Sequence, residues 1–515
     1  MNLSNKNYYL STLFTIRFGN HIAKKKSNLS KIVPLIASLF FFTITFSQEQ
    51  DNDDTKDYKK RVLENIEIDF LTSYYTQDGD NAAVTGGIGT EELTDLASEI
   101  VISIPMNDDD VLSISAEIST YTSASSSNLD PFDSSGASGG DDDDDDDDDD
   151  DGNSSGVTGS PWIESSGDSR KDTWINANVG YSHSSDDRNK IWSANLNFAN
   201  EYDYTSIGFG GSHSWLFNEK NSEFGISGNA YFDTWNPKYP TELDSYLEAN
   251  QNLFNGFFNA IEILDQNGNI IDKSGANVWR PLNTTLVDDT SRNTYSVSLS
   301  FSQILNKNAQ ISFFIDLVQQ EGWLSSPLQR VYFKDRDNFY VGNASSISNY
   351  TSPNNRDVFQ LADDIERLPS SRFKIPIGTR LSYYINEIFV LRTYYRYYTD
   401  DWGISAHTAE FEIPIKITDK FTLYPSYRYY TQTAADYFAP YEENLSTQEF
   451  YTSDYDLSDF NANQYGFGIK YTDIFTKIQF WKFKLKSAEL KYSHYDRSTG
   501  LTADIISLGF NYIFE

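Results

Sequence analysis

Cysteine is absent from the 515 residues, and methionine occurs only twice. Without cysteine there are no disulfides, thiolate metal sites, thiol nucleophiles or lipidated N-terminal cysteine. Histidine occurs five times, so imidazole chemistry is scarce. Basic residues are few as well: 40 Lys and Arg face 75 Asp and Glu, a net charge of −35. That balance excludes nucleic acid as a partner, because such a surface needs a basic footprint. Only 39% of residues are hydrophobic, too few for a bundle of membrane helices. Aromatics, by contrast, are plentiful. The 35 Tyr, 35 Phe and 9 Trp are far too many for a disordered acidic chain and are types that favour strands. A β-rich folded protein is the class that remains.

Lys24-Lys25-Lys26 and Lys31 precede an apolar run from Ile32 to Phe46 and the junction Thr45-Phe46-Ser47. This pattern predicts a cleavable secretory signal over 1–47. The run is shorter than the roughly 20 residues a spanning helix needs, and an acidic segment follows it. A retained membrane anchor is the competing reading. Residues 1–47 hold six Lys/Arg and no Asp/Glu, so the chain from Gln48 carries 34 basic against 75 acidic residues, a net −41. Residues 48–64 are read as a periplasmic N-terminal segment and 65–515 as the folded unit.

Within 65–515, segments of about ten residues or slightly more alternate apolar and polar with period two, separated by turn residues. At the C-terminus Ile506, Leu508, Phe510, Tyr512 and Phe514 share one face, and Ser507, Gly509 and Asn511 the other. A soluble sandwich would alternate too, so loop lengths decide between them. Sixteen strands are predicted, at 65–76, 97–105, 111–122, 173–183, 190–200, 204–217, 222–235, 292–304, 309–322, 371–385, 388–401, 404–417, 420–433, 464–475, 485–497 and 502–514. Most connections on one side are short turns, whereas the long insertions 77–96, 123–172, 236–291, 323–370 and 434–463 all fall on the other. That asymmetry predicts an all-β fold, a transmembrane antiparallel barrel with short periplasmic turns and long extracellular loops. An even count and closure are both required, because an open edge would leave unpaired backbone groups in lipid. Fourteen or eighteen strands are the alternatives, and the expected location is the bacterial outer membrane.

Gly322-Trp323-Leu324, Leu368-Pro369-Ser370-Ser371-Arg372 and the run from Tyr394 to Thr408 form a long pattern, followed by Tyr427-Arg428-Tyr429-Tyr430-Thr431-Gln432 and Ala435-Asp436-Tyr437. Tyr121-Thr122-Ser123-Ala124-Ser125 and Ser135-Gly136-Ala137-Ser138 belong with them. Together these resemble the bacterial outer-membrane family catalogued as domain of unknown function 3570. The resemblance supports the fold and carries no activity. Its members are often encoded near flavin-transferase and thioredoxin-like proteins, which implies a periplasmic redox or metal-handling partner by analogy alone.

The parity opposite to the apolar face defines the lumen. It carries Lys374, Arg380, Arg392, Arg396, Arg428, Lys470 and Lys491 with Glu410, Glu412 and Glu489 on the C-terminal strands, and Glu67, Asp69, Glu99 and Glu117 on the first three. Since the last strand pairs with the first, basic and acidic walls should adjoin and set up a transverse field. A solute pore is one consequence; charges paired into bridges across a blocked lumen are the other. His183, His213, His407 and His494 share the apolar parity near strand ends, which places them in the interfacial girdles rather than in a lumenal metal site. A hydrolase at the rim would pair Asp400 or Asp401 with His407, or Asp496 with His494. The competing reading makes Asp400-Asp401-Trp402-Gly403 a tight outer turn whose Trp anchors at the headgroups.

Eleven consecutive Asp, 141–151, lie in the loop 123–172 and should stay extended and solvated. Their carboxylates would take Ca²⁺ or Mg²⁺ weakly and without selectivity, or meet divalent-bridged lipopolysaccharide, since the spaced ligands and Gly of an EF-hand are missing. No other cofactor is expected. In the loop 236–291, Leu243, Tyr246, Leu247, Leu253, Phe254, Phe257, Phe258 and Ile261 recur at helical spacing and predict a helix that caps or enters the barrel mouth. Val331, Tyr332, Phe333, Phe339 and Tyr340 of the loop 323–370 are its expected partners. The reading is a porin-like barrel that passes a small solute or ion. A non-conducting component of a periplasmic flavin or thiol system comes second and a rim hydrolase third.

Overall fold

The computed structural model describes residues 61–123, 160–162, 172–282, 287, 290–355, 357–473 and 475–514. The signal segment 1–47, residues 48–60 and the poly-Asp run 141–151 lie outside the described residues.

The alternating segments form sixteen long antiparallel strands, each bonded to its neighbours in sequence. They are β1 (Ile66–Asp78), β2 (Leu93–Pro105), β3 (Asp110–Ser123), β4 (Asp172–Ser184), β5 (Lys190–Asn200), β6 (Tyr204–Phe217), β7 (Ser222–Trp235) and β8 (Thr290–Asn306) in the first half. The second half holds β9 (Ala309–Gly322), β10 (Ser371–Tyr384), β11 (Val390–Asp400), β12 (Ser405–Glu412), β13 (Phe421–Gln432), β14 (Phe460–Thr472), β15 (Phe483–Arg497) and β16 (Thr502–Phe514). Closure is complete: β16 pairs with β1 from Ile66↔Phe514 to Asp78↔Thr502. A closed ladder leaves no strand edge unpaired, which a wall in lipid requires. No helix among the described residues is long and apolar enough to cross a membrane.

Predicted and observed strands agree closely, with β2 and β14 each starting four residues earlier than alternation suggested. Strand β12 stops at Glu412 because Pro414 has no N–H to offer; its carbonyl still accepts from Val390, and pairing resumes at Ile415–Lys416. The apolar parity faces outward. Leu196, Phe209, Phe313, Phe411, Tyr465 and Leu490 are each close to half exposed, as a lipid-facing belt would be outside lipid. Trp192, Trp215 and Phe217, together with Trp481 of the turn 473–482, gather toward the short-turn rim as an aromatic girdle.

On the other rim, residues 236–282 and 323–370 pack into one apolar core. Helix α1 (Thr241–Glu248), with Glu242 and Asp244 in its first turn, contributes Leu243 and Tyr246. The longer helix suggested by the apolar spacing through Ile261 is not formed. Asn250, Gln251 and Gly256 take left-handed backbone angles that end it, and Phe254 and Phe257 point to solvent. Leu253, Phe258, Ile263 and Trp279 join Phe339, Val341, Phe359 and Leu361 from the second loop. Trp279 is fully buried, 5.2 Å from the Tyr246 ring and 5.3 Å from that of Phe258, and its indole N–H donates to the Ala362 carbonyl. Trp279→Ala is expected to destabilise this core by about 3–5 kcal/mol. Hydrogen exchange would show faster exchange in both loops with the strands unchanged; unaltered loop protection would refute the assignment.

Candidate functional site

The ladder register places the inward residues of adjacent strands side by side, and the lumen wall divides into three sectors. On β1–β3, Glu67, Asp69, Glu99 and Glu117 face inward, with Glu99 directly opposite Glu117. On β4–β8 the inward positions are mostly uncharged: Asn176, Asn178, Asn195, Asn197 and Asn229, then Ser296, Ser298 and Ser300. On β10–β15 they are basic and aromatic. The acidic and basic sectors meet across the closure, and the Asn/Ser wall separates them on the far side. The Asn/Ser sector was legible in the sequence only as the polar half of each alternation, because amide and hydroxyl groups give no charge signal.

Several lumenal cations are paired. Arg392 bonds Glu412 at 2.8 Å, and Glu489 bridges Lys491 (2.6 Å) and Lys470 (3.3 Å). Glu67 takes Lys486 at 2.8 Å, and Asn511 donates to Asp69. Strict alternation puts Lys486 on the outer face. The register shift between Leu485 and Ser487 turns it inward, so a parity reading misses it. Arg380 lies beside the stacked rings of Phe314 and Tyr394, 5.5 Å from the first centroid and 5.4 Å from the second. Lys374 sits beside Val318 of β9 and Asp400 of β11, near the long-loop rim. Glu410 stands between Tyr394 and Arg428 in the ladder.

A cavity of about 290 Å³ opens among Arg396, Arg428, Tyr430, Ala462, Gln464 and Tyr495. It spans two rungs of the wall: Arg396, Thr408, Tyr430 and Ala462 in one, Arg428, Gln464 and Tyr495 in the next. Thr408 and Ala462, both small and almost wholly buried, leave the room.

The rim residues of the family pattern serve the cap. Asp400 accepts from the Arg372 guanidinium (2.6 and 2.9 Å), the Tyr398 hydroxyl (2.7 Å) and the backbone N–H of Trp402 and Ile404. Asp401 accepts from the Phe373 N–H. Trp402 is 3% exposed, with Arg372 4.2 Å above its ring and its N–H on the Ser371 carbonyl. It therefore packs under the loops and does not anchor at headgroups. Gly403 turns with φ 90°, and a Cβ there would strike Asp436. Gly322 likewise has φ 112°, and a Cβ would strike the Ser291 carbonyl, which accounts for glycine at the head of Gly322-Trp323-Leu324.

The acid–histidine pairs of a rim hydrolase are not assembled. His407 meets the Tyr395 hydroxyl at 2.8 Å, and His494 meets Asp504 at 2.8 Å rather than Asp496. His183 pairs with Asp110 on the short-turn rim, and His213 lies tilted against Trp215, ring centroids 4.2 Å apart.

The cap crosses the mouth. Arg330, in the loop after β9, donates to both oxygens of Glu242 (2.7 and 2.9 Å) and to the Val84 carbonyl (3.1 Å). Val84 lies in the loop after β1, eight strands away around a ring of sixteen, so the loops reach across the opening. Arg330 and Glu242 are both fully buried. A second seam joins the loop 323–370 to the loop 433–459. Glu366 accepts from the Ser326 N–H and the Thr452 hydroxyl, Gln329 donates to Asp454, and Tyr451 donates to Asp364. Burial, then the neighbouring Asp454, pushes the Glu366 carboxyl up to about 8. Burial also raises Asp454, beside Asp456, and Asp363, beside Arg336, to about 6 each. Asp456 reaches inward to Arg497 at 2.6 Å, so the seam rests on the inner wall.

The chain belongs to the family described as "Protein of unknown function (DUF3570)", which matches residues 34–504. No curated protein matches it. Among solved structures it is similar to a bacterial polysaccharide outer membrane secretin, at 9% identity over 89% of this chain and 100% of that one, with a TM-score of 0.38. It is also similar to the P. putida toluene transporter TodX, at 10% identity over 88% and 91% with a TM-score of 0.35. A third is Pseudomonas aeruginosa OccK2 in complex with glucuronate, at 7% identity over 88% and 98% with a TM-score of 0.34. Likenesses this low carry no argument about this chain, and the barrel rests on its own closed ladder.

Proposed function

We propose, from that family membership and the barrel's geometry, that the protein sits in the bacterial outer membrane and passes a small hydrophilic solute or ion through its lumen, with the loop cap as gate. The observation that carries this is the sorted inner wall: acidic on β1–β3, uncharged and hydrogen-bonding on β4–β8, basic on β10–β15. Opposed charged walls give a transverse field that orients a polar solute, and the Asn/Ser wall replaces its lost hydration.

The test is single-channel current and reversal potential in a planar bilayer under a salt gradient, with folding checked by heat-modifiable migration. Discrete steps are expected, with selectivity shifted by neutralising Arg392 and Arg396. The cap favours a second reading, a non-conducting component that serves a periplasmic flavin or thiol system. Silence from folded wild type and from cap-weakened variants alike would replace the first reading with the second.

A further inference from the structure

We propose that the cavity at Arg396 and Arg428 is an oxyanion-binding site in the lumen, which takes a small solute bearing a carboxylate or phosphate group. The inference deepens the pore reading by naming the solute class, but binding is measured separately from conduction.

Three observations carry it. First, the two guanidiniums differ from others on this side of the barrel. Arg372 is paired with Asp400, Arg392 with Glu412, and Arg497 with Asp456, whereas neither Arg396 nor Arg428 has a carboxylate within ion-pair distance among the described residues. Glu410 opposes Arg428 in the ladder without pairing to it, and the cavity lining itself holds two cations and no carboxylate. Second, the Arg396 guanidinium takes no hydrogen-bond acceptor or ion-pair partner among the described residues while its residue lines the cavity. A guanidinium with no internal acceptor keeps its fork available, and an oxyanion is the acceptor which that fork fits in bidentate fashion. Third, there is room: the cavity of about 290 Å³ is walled by Tyr430, Gln464 and Tyr495, whose hydroxyl and amide groups suit a solute's remaining polar atoms. The chain's net charge of −35 would suggest cation preference, and this pocket opposes that locally.

The experiment is isothermal titration of the full chain in zwitterionic detergent at low salt, with inorganic phosphate and with succinate, and with choline as the cationic control. Saturable binding of one or both oxyanions, but not of choline, is expected. Arg396→Gln and Arg428→Gln should each weaken it at least tenfold, while Lys416→Gln, on the short-turn rim with Asp419 as its partner, should change it less than twofold. Arg428→Lys, which keeps the charge but loses the fork, should fall between. Every variant must show the heat-modifiable migration of a folded barrel. No saturable binding by folded wild type overturns the proposal, as does binding that survives both glutamine variants. Binding without channel current in both wild type and cap-weakened variants supports the site and removes the pore reading; current without binding does the reverse.

Discussion

Arg330→Met is expected to release the cap at a cost of about 3–5 kcal/mol, because it leaves the Glu242 carboxylate buried with its main partner gone. The guanidinium joins the loops after β1, β7 and β9, lying 5.1 Å from the Phe359 ring as well as on Glu242 and Val84. Its loss should raise hydrogen exchange and protease cleavage across 79–92, 236–282 and 323–370. The barrel ladder, which does not pass through Arg330, should keep its protection. The double variant Arg330→Met with Glu242→Leu should recover much of the loss, since an apolar pair of similar size leaves no orphan charge. If the cap gates conduction, the single variant also raises channel open time. A single variant with wild-type loop protection would show that the mouth is not held by this pair.

Raising pH from 6 to 9 is expected to loosen the seam between the loops 323–370 and 433–459, and Glu366→Gln should abolish most of that change. The Glu366 carboxyl, ordinarily at 4.5, ionises only at about 8 in the folded cap. Between those values the folded cap holds a proton that the unfolded segment has released. Its stability is therefore greatest in acid, falls as pH rises through this window, and levels off above about 8. Asp363 and Asp454, both raised to about 6, act in the same direction but complete their change earlier. The carboxyl faces Asp454 and, more weakly, Arg292, whose attraction opposes the shift without cancelling it. Seam exchange, corrected for intrinsic chemistry, should accelerate in wild type and stay nearly flat in Glu366→Gln. Identical pH profiles for the two proteins would remove Glu366 from the seam's energetics.

Strands were the most legible feature because an antiparallel wall between two solvents forces period-two alternation on every segment. Ile506, Leu508, Phe510, Tyr512 and Phe514 show that pattern in the sequence and form the outer face of β16 in the structure. Alternation failed where the ladder itself is irregular. Lys486 changes face at a bulge, and Pro414 cuts β12 short. The cap was half legible: apolar spacing announced a buried element in 236–291, but left-handed turns at Asn250 and Gln251 shortened its helix. Trp402 was misplaced because an aromatic at a strand end reads as a girdle residue whether it meets headgroups or the underside of a loop.

Composition, period two and the asymmetry of loop lengths were enough to determine an all-β barrel of about sixteen strands with one short-turn rim and one long-loop rim, because these are local properties that the chain repeats; the closed ladder gives the count of sixteen. Which charges remain unpaired was decided only in three dimensions. Arg392 and Arg396 look alike in the sequence, four residues apart on one strand face, yet one meets Glu412 and the other opens onto a cavity. That difference arises from the register of β11, β12 and β13 and from the small side chains of Thr408 and Ala462. The bond from Arg330 to Val84 likewise joins residues 246 positions apart, a pairing that only the closed ring and its crossing loops bring about.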